Sequence, residues 1–330
     1  MHWLQKQWYR LTRMQWILYP VSLVFHALVA IRRTMYRDGA LTSHQLLLPV
    51  IVVSNINVGG TGKTPLTLAL TQQLVKRGWH PLIISRGYKG ISKQPQFVGI
   101  TANVRQVGDE PLLMARRKIC PVWIGKDRVA TANTALQAHP LCDVVLCDDG
   151  LQHYRLHRDF EIAVVDVERG FGNGRMLPAG PLREPVSRLQ TVDAVVMNGG
   201  DSAEGVYAMH LSGEVFYSLL DPTRKASPAD FKKPNIHAAA GIGNPQRYFR
   251  HLESMGIAFT PHAFPDHHPY SAGDLAFADC DAILLTEKDA VKCTAFADAR
   301  YWVLRVDAQI DPALIEQILR KIAPHGHKAA

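Results

Sequence analysis

An eight-residue run, Asn57-Val58-Gly59-Gly60-Thr61-Gly62-Lys63-Thr64, narrows the possible architectures of this chain more than any other feature. It follows Leu46–Ser54, a Val- and Ile-rich stretch that reads as a buried strand. It precedes Pro65–Arg77, a helical pattern closed by Gly78. Strand, glycine-rich turn and helix in that order are the setting of a phosphate-binding loop. The glycines let backbone N–H groups approach phosphate oxygens with no Cβ in the way, and the helix N-terminus adds the positive end of its dipole. Lys63 would set a charge against the β- and γ-phosphates, and Thr64 would offer its hydroxyl to Mg²⁺. The usual pattern has Gly at the position that Asn57 occupies.

Further short apolar runs continue the series: Pro81–Ser85, Val122–Ile124, Val144–Cys147, Ile162–Val167 and Thr191–Met197. Strands alternating with helical patterns predict an α/β fold with a parallel sheet covered on both faces. Gly, Pro, Asp and Lys concentrate near 199–205 and 221–233, which places an interdomain connection there. Beyond it, Ile236–Ala240 and Ala282–Leu285 read as strands, Gly241–Pro245 as a turn, and Gln246–Met255 and Leu314–Ile322 as helices. The expected division is an N-terminal helix within 1–37, a P-loop nucleotide-binding domain over 38–205, a linker over 206–235 and a smaller α/β domain over 236–330 that completes the nucleotide cleft.

Charge distribution decides what the +8 formal charge means. The first 37 residues hold Lys6, Arg10, Arg13, Arg32, Arg33 and Arg37 and no acid, while the other 293 carry 31 basic and 29 acidic side chains. The body is nearly neutral, which argues against nucleic acid as a partner. The basic end also carries Trp3, Trp8 and Trp16 around Met14–Ile31, a run without formal charge. This run is marginal for a transmembrane helix, has basic flanks on both sides, and lacks a cleavage site of signal-peptide type. Tryptophans at headgroup level and cations over anionic lipid favour an amphipathic helix at the membrane interface; a true span and a buried core helix are the alternatives. Five cysteines, an odd number with no C-x-x-C pair, predict free thiols and agree with a cytoplasmic location.

A nucleotide loop needs an acidic metal partner. Asp148 and Asp149 end the apolar run Val144–Cys147, and ligand sites in open α/β sheets lie at the carboxyl ends of strands. Gly108-Asp109-Glu110 offers a carboxylate that can accept a hydroxyl proton, although alone it reads as a helix start. Arg128 and Arg183 could bring guanidinium groups to phosphates, although alone they read as surface charges. Asp266-His267-His268 is a poor zinc site, because no second spaced ligand pair accompanies it; an Asp–His functional pair or a solvated loop fits better. Gly241-x-Gly243 is too short for a dinucleotide fingerprint.

Taken together, these residues resemble the tetraacyldisaccharide 4′-kinase family, the lipid A 4′-kinases. The resemblance rests on Val58–Pro65, Ser85-Arg-Gly-Tyr88, Val107–Pro111, Asp148-Asp-Gly-Leu-Gln-His153, Gly170–Gly174, Leu177–Pro185, Asp266-His267 and Thr286-Glu-Lys-Asp289, in order over nearly the whole chain. It implies transfer of the ATP γ-phosphate, with Mg²⁺, to the 4′-hydroxyl of a tetraacylated glucosamine disaccharide 1-phosphate. It also implies that 38–205 is a kinase domain, that Asp109 activates the hydroxyl with His267 as its partner, and that Lys63 and Thr64 serve phosphate and metal beside Asp148 and Asp149. Arg128, Gln152, His153, Arg183 and Glu184 map to the active-site rim. The acylated acceptor puts the enzyme on the cytoplasmic face of the inner membrane, attached by its N-terminal helix to an anionic surface, with no obligate protein partner evident. The main rival is a membrane-associated partitioning-type ATPase switch. Its loop carries an additional Lys where this chain has Val58.

Overall fold

A computed structural model of the chain describes residues 8, 9, 13–88, 90–92 and 94–326. Trp3, Lys6 and Arg10 lie outside the described residues. Nine strands form the larger sheet: β1 Val50–Ser54, β2 Pro81–Ser85, β3 Gln96–Phe97, β4 Val122–Ile124, β5 Val144–Asp148, β6 Phe160–Asp166, β7 Ala194–Asn198, β8 Val206–Ser212 and β15 Asp307–Ile310. Their spatial order is β15-β8-β7-β6-β1-β5-β2-β4-β3, with parallel pairing from β8 through β4 and an antiparallel strand at each edge. The strand β1, which leads into the phosphate loop, sits at the centre.

Side-chain alternation explains why these strands read as continuous apolar runs. Ile51 and Val53 enter one core, on the face covered by helices Lys63–Lys76 and Pro312–Gly326. Val50 and Val52 enter the core on the other face, beneath helix Arg128–Ala138. Both faces are buried, so both sets of residues must be apolar.

The second sheet has six strands: β9 Phe216–Ser218, β10 Lys225–Ala226, β11 Ile236–Ala240, β12 Thr260–Ala263, β13 Ala282–Thr286 and β14 Tyr301–Leu304, in the order β10-β9-β14-β13-β11-β12. Its core is aromatic, with Phe216, Phe231, Tyr248, Phe249 and Trp302 in one cluster.

The chain is shared between the two sheets differently from the expected division. Residues 206–212 are β8 of the larger sheet, and 216–218 and 225–226 are strands of the smaller one. The stretch read as a linker is thus structured on both sides of the crossing. After β14 the chain returns: β15 pairs with β8, and Leu314, Ile315, Ile318 and Ile322 of the terminal helix join the larger core. The smaller unit is an insertion between β8 and β15. The composition hid this because β8 is only half-buried and holds His210 and Ser212, so it lacks the unbroken apolar run of its neighbours.

Helix Arg13–Arg37 is oriented contrary to a soluble helix. Its fully buried side chains are Gln15 and Ser22, and the Ser22 hydroxyl donates to Met176 O at 2.7 Å. Trp16, Ile17, Val21, Leu23, Val24, Leu28 and Ile31 face outward. Phe25 and Val29 rest on the core that holds Val50 and Val52, and Arg175 stacks over Trp16 at 4.4 Å and Tyr19 at 4.6 Å. By length and composition the helix can cross a membrane, and only 11% of its apolar window is covered. The alternative of a buried core helix is therefore not what is found.

Candidate active site

The phosphate loop is held from outside by amide groups. Asn55 Nδ2 donates to Gly59 O at 3.2 Å and to Thr61 Oγ1 at 3.1 Å, and Asn198 Nδ2 from the end of β7 donates to Thr61 O at 3.0 Å. Gly62 caps helix Lys63–Lys76 with φ 98°, a left-handed backbone that an L side chain rarely adopts. The departure at Asn57 has a local cause. Its side chain is buried and reaches Gly170 O at 3.4 Å, while its backbone bridges to Leu182. Asn57 and Val58 thus tie the loop to segment 170–182, with Val58 N–H donating to Pro181 O at 2.8 Å.

Two carboxylates stand at the carboxyl end of β5. Asp149 accepts from Arg183 Nη1 at 3.0 Å and lies 3.6 Å from Lys63 Nζ. Burial alone would raise its pKa, but Lys63 and Arg183 hold it well below the usual carboxylate range. Asp148 is different. It is fully buried; Ser85 donates to one of its oxygens at 2.9 Å, and the other has no hydrogen-bond partner. Burial, then the neighbouring charges of Glu110 and Asp149, push its pKa up to about 7. An orphaned buried carboxylate oxygen beside Asp149 fits a divalent cation. No group of three or more His, Cys, Asp or Glu forms a metal site among the described residues. A Mg²⁺ ion held by one or two carboxylates and substrate phosphates needs none.

Asp109 opens helix Asp109–Arg116, and His267 lies in the loop after β12. They are 158 residues apart, yet His267 Nδ1 is 2.7 Å from Asp109 Oδ2. Lys288 Nζ sits 3.3 Å from His267 Nε2, 2.9 Å from Glu110 and 3.2 Å from Asp266. The ammonium has only protons to give, so Nε2 accepts from it and Nδ1–H donates to Asp109. Burial would raise the Asp109 pKa, but the His267 hydrogen bond and the charges of Lys288 and Lys292 hold it at about 2. His267 (φ 59°) and Asp149 (φ 51°) are two of the four non-glycine residues with left-handed backbone among the described residues. Strain of this kind gathers at sites that need a fixed side chain.

The expected rim residues divide. Arg183 and Gln152 stay together at the Asp149 side, with Gln152 Nε2 donating to Glu184 at 2.9 Å. Arg128 and Glu184 are buried beneath the site, not on a rim. Arg128 donates to Gly125 O at 2.8 Å and Asp148 O at 3.5 Å. Glu184 accepts from Tyr154 at 2.7 Å and pairs with Arg188 at 3.3 Å. His153 accepts from the Arg128 backbone N–H at 3.4 Å; burial and the Arg128 charge lower its pKa to about 4.

A cavity of about 280 Å³ lies between the two units. Gly60–Pro65 and Asn198 line it from the larger unit, and Gly243, Arg247, Tyr248 and Lys288 from the smaller. Lys288 and Lys292 were not singled out from the sequence. Lys288 lies in the motif Thr286-Glu-Lys-Asp289, which carries the resemblance, and Lys292 follows it on the same helix, Glu287–Cys293.

The family model described as tetraacyldisaccharide-1-P 4′-kinase matches residues 14–323. Among relatives, the tetraacyldisaccharide 4′-kinase of Methylobacillus flagellatus is 49% identical over 320 residues, 97% of this chain and 96% of that one. That of Dechloromonas aromatica is 48% identical, covering 97% of each chain. A crystal structure of LpxK from Aquifex aeolicus in complex with ATP superposes with a TM-score of 0.80 at 28% identity, over 94% of this chain and 99% of that one.

Proposed function

This chain belongs to the tetraacyldisaccharide-1-P 4′-kinase family, and on that premise we propose how its residues carry the reaction. It is an ATP-dependent kinase of lipid A biosynthesis that moves the γ-phosphoryl group of ATP to the 4′-hydroxyl of a tetraacylated glucosamine disaccharide 1-phosphate. The observation that carries the division of roles is the pair of carboxylate centres, one held anionic by cations and one with an oxygen left without a partner.

Phosphoryl transfer depends on positioning and charge neutralisation more than on covalent chemistry. Asn57 through Thr64 cradle the phosphates, and Lys63 sets its charge against them. Thr64, Asp148 and Asp149 would hold Mg²⁺, which would supply neutralisation of phosphate charge. Asp109 accepts the proton of the 4′-hydroxyl as its oxygen bonds to phosphorus. His267 Nδ1, 2.7 and 3.0 Å from the two oxygens of that carboxylate, and the Glu110 N–H, which donates to Oδ1 at 2.9 Å, hold it in place for the acceptor. Arg183 and Gln152 fix Asp149, while Arg128 and Glu184 brace the strand end and loop beneath it. His153 is neutral at physiological pH. The smaller unit supplies His267 and Lys288, so the catalytic set is complete only with both units in place.

We further propose that helix Arg13–Arg37 attaches the enzyme to the anionic cytoplasmic face of the inner membrane, where the acylated acceptor resides. Its buried Gln15 and Ser22 and outward apolar side chains support this reading.

The test is purified full-length protein with radiolabelled Mg-ATP and lipid acceptor. Labelled lipid product is expected. Phosphate release with no lipid product would overturn the kinase assignment in favour of the ATPase switch. Replacing Val21, Val24 and Leu28 by Gln leaves the inward contacts intact and should release the protein from anionic vesicles; unchanged binding would refute the attachment.

A further inference from the structure

One arginine beside the phosphate loop is paired with no carboxylate. Arg183 is bound to Asp149, Arg247 to Asp166, and Arg117 to Glu287 and Asp307. Among the described residues Arg169 has no ion pair. Its Nη1 donates to Gly60 O at 3.3 Å, its Nη2 donates to the Tyr9 hydroxyl at 2.9 Å, and its Cζ lies 5.3 Å from the centre of the Tyr9 ring.

The guanidinium rests directly on the loop. A Cβ on Gly59, whose φ is 112°, would stand 2.7 Å from Nη1 and 2.8 Å from Nη2. The backbone of Gly59 requires glycine, and the missing side chain lets the guanidinium rest on the loop. Gly243 of the smaller unit packs against both: a Cβ on it would stand 2.8 Å from Gly60 N and 3.0 Å from Arg169 Nη1. The Arg169 main chain is fixed by its N–H to Asp166 Oδ1 at 3.1 Å, just past the end of β6, which neighbours β1. A forked cation is therefore held at the mouth of the phosphate cradle by a carbonyl, a hydroxyl and a ring face. A phosphoryl group accepts both prongs of that fork and carries the charge that these neutral partners lack.

We propose that Arg169 is an arginine finger supplied by the chain itself, which exchanges Gly60 O and Tyr9 for the γ-phosphoryl group and stabilises the charge on it during transfer. The inference rests on the kinase reading above. In the step, the bond between the γ-phosphorus and the β–γ bridging oxygen breaks, and the acceptor oxygen bonds to phosphorus. The hydroxyl proton passes to Asp109, ADP leaves, and Arg169 keeps all its protons. Tyr9 adjoins Trp8, whose indole N–H donates to Pro178 O at 2.9 Å, so the resting place of the finger is tied to the seat of the N-terminal segment.

The test uses full-length protein and two readouts. Arg169→Ala should lower kcat by about 10³-fold or more, the range of known arginine fingers, with ADP affinity unchanged. Aluminium fluoride, which completes ADP into a mimic of the transferring group, should tighten ADP binding to the wild type and not to the variant. Arg169→Lys should recover little, since an ammonium lacks the fork. Tyr9→Phe removes only the resting partner and should keep turnover. Loss of ADP affinity in step with kcat, or aluminium fluoride still tightening ADP on the variant, would overturn the finger and leave a structural arginine. Absence of labelled lipid with the wild type would instead sink the kinase reading.

Discussion

The pocket around Asp148 and the pocket around Asp109 both bury a carboxylate, with opposite results. Asp148 has acidic neighbours and an oxygen without a partner, and its pKa rises to about 7. Asp109 has His267, Lys288 and Lys292 around it, and its pKa falls to about 2. Burial by itself opposes ionisation in both places, so the difference lies in the surrounding charge. A negative excess is suited to taking up a cation that arrives with substrate. A positive excess keeps a base ionised inside a dry cleft. The origin of the two pockets also differs: the first is built within the larger unit, and the second needs side chains from both.

The strongest challenge to this contrast is kinetic. Asp109→Ala should lower kcat by ~10²–10⁴-fold, the usual contribution of a general base, with ATP binding preserved. Full turnover in that variant would remove Asp109 from the chemistry. Lys63→Ala should cost about 10²–10³-fold, as removal of one preorganised electrostatic contact does. Here ATP affinity should fall too, which isothermal calorimetry reads directly.

A stability comparison sharpens the contrast further. Without metal or nucleotide, Asp109→Asn leaves buried cations uncompensated and should destabilise the protein by about 3 kcal/mol. Asp148→Asn removes a charge that burial and acidic neighbours disfavour, and urea unfolding should show no loss. Equal losses in both variants would show that the two pockets do not differ in charge balance.

The smallest effect concerns pH. The Asp109 pKa is depressed from 3.8 to about 2, so its contribution to stability is present above pH 4 and lost as pH falls toward 2. Acid unfolding of Asp109→Asn should therefore be less steep than wild type between pH 4 and 2. An identical slope would indicate that His267 and the lysines do not act on Asp109 in solution.

The larger sheet was legible because its strands are buried on both faces, and a continuous Val/Ile run next to Gly59–Lys63 has few other readings. The free thiols were legible as well: all five cysteines are unpaired. The passage of the chain between sheets was not, since β8 carries His210 and Ser212 on a half-exposed strand and β15 is short and polar. Asp109 and His267 came together only through the family resemblance. Nothing local in Gly108-Asp109-Glu110 reveals a histidine 158 residues away. Arg128 and Glu184 read as surface charges because their partners, backbone carbonyls and Tyr154, are brought to them by tertiary folding.

The insertion of the smaller unit between β8 and β15 also bears on how the protein is made. Synthesis runs from the N-terminus, so the phosphate loop and its central strands leave the ribosome early. The helix that buries Leu314, Ile315, Ile318 and Ile322 against that same sheet emerges last. Until then the part of that face not covered by helix Lys63–Lys76 stays exposed, whether or not the inserted unit has already folded. A nascent chain that stalls after β14 therefore exposes apolar surface to chaperones and proteases, and only finished chains acquire a closed sheet under the phosphate loop.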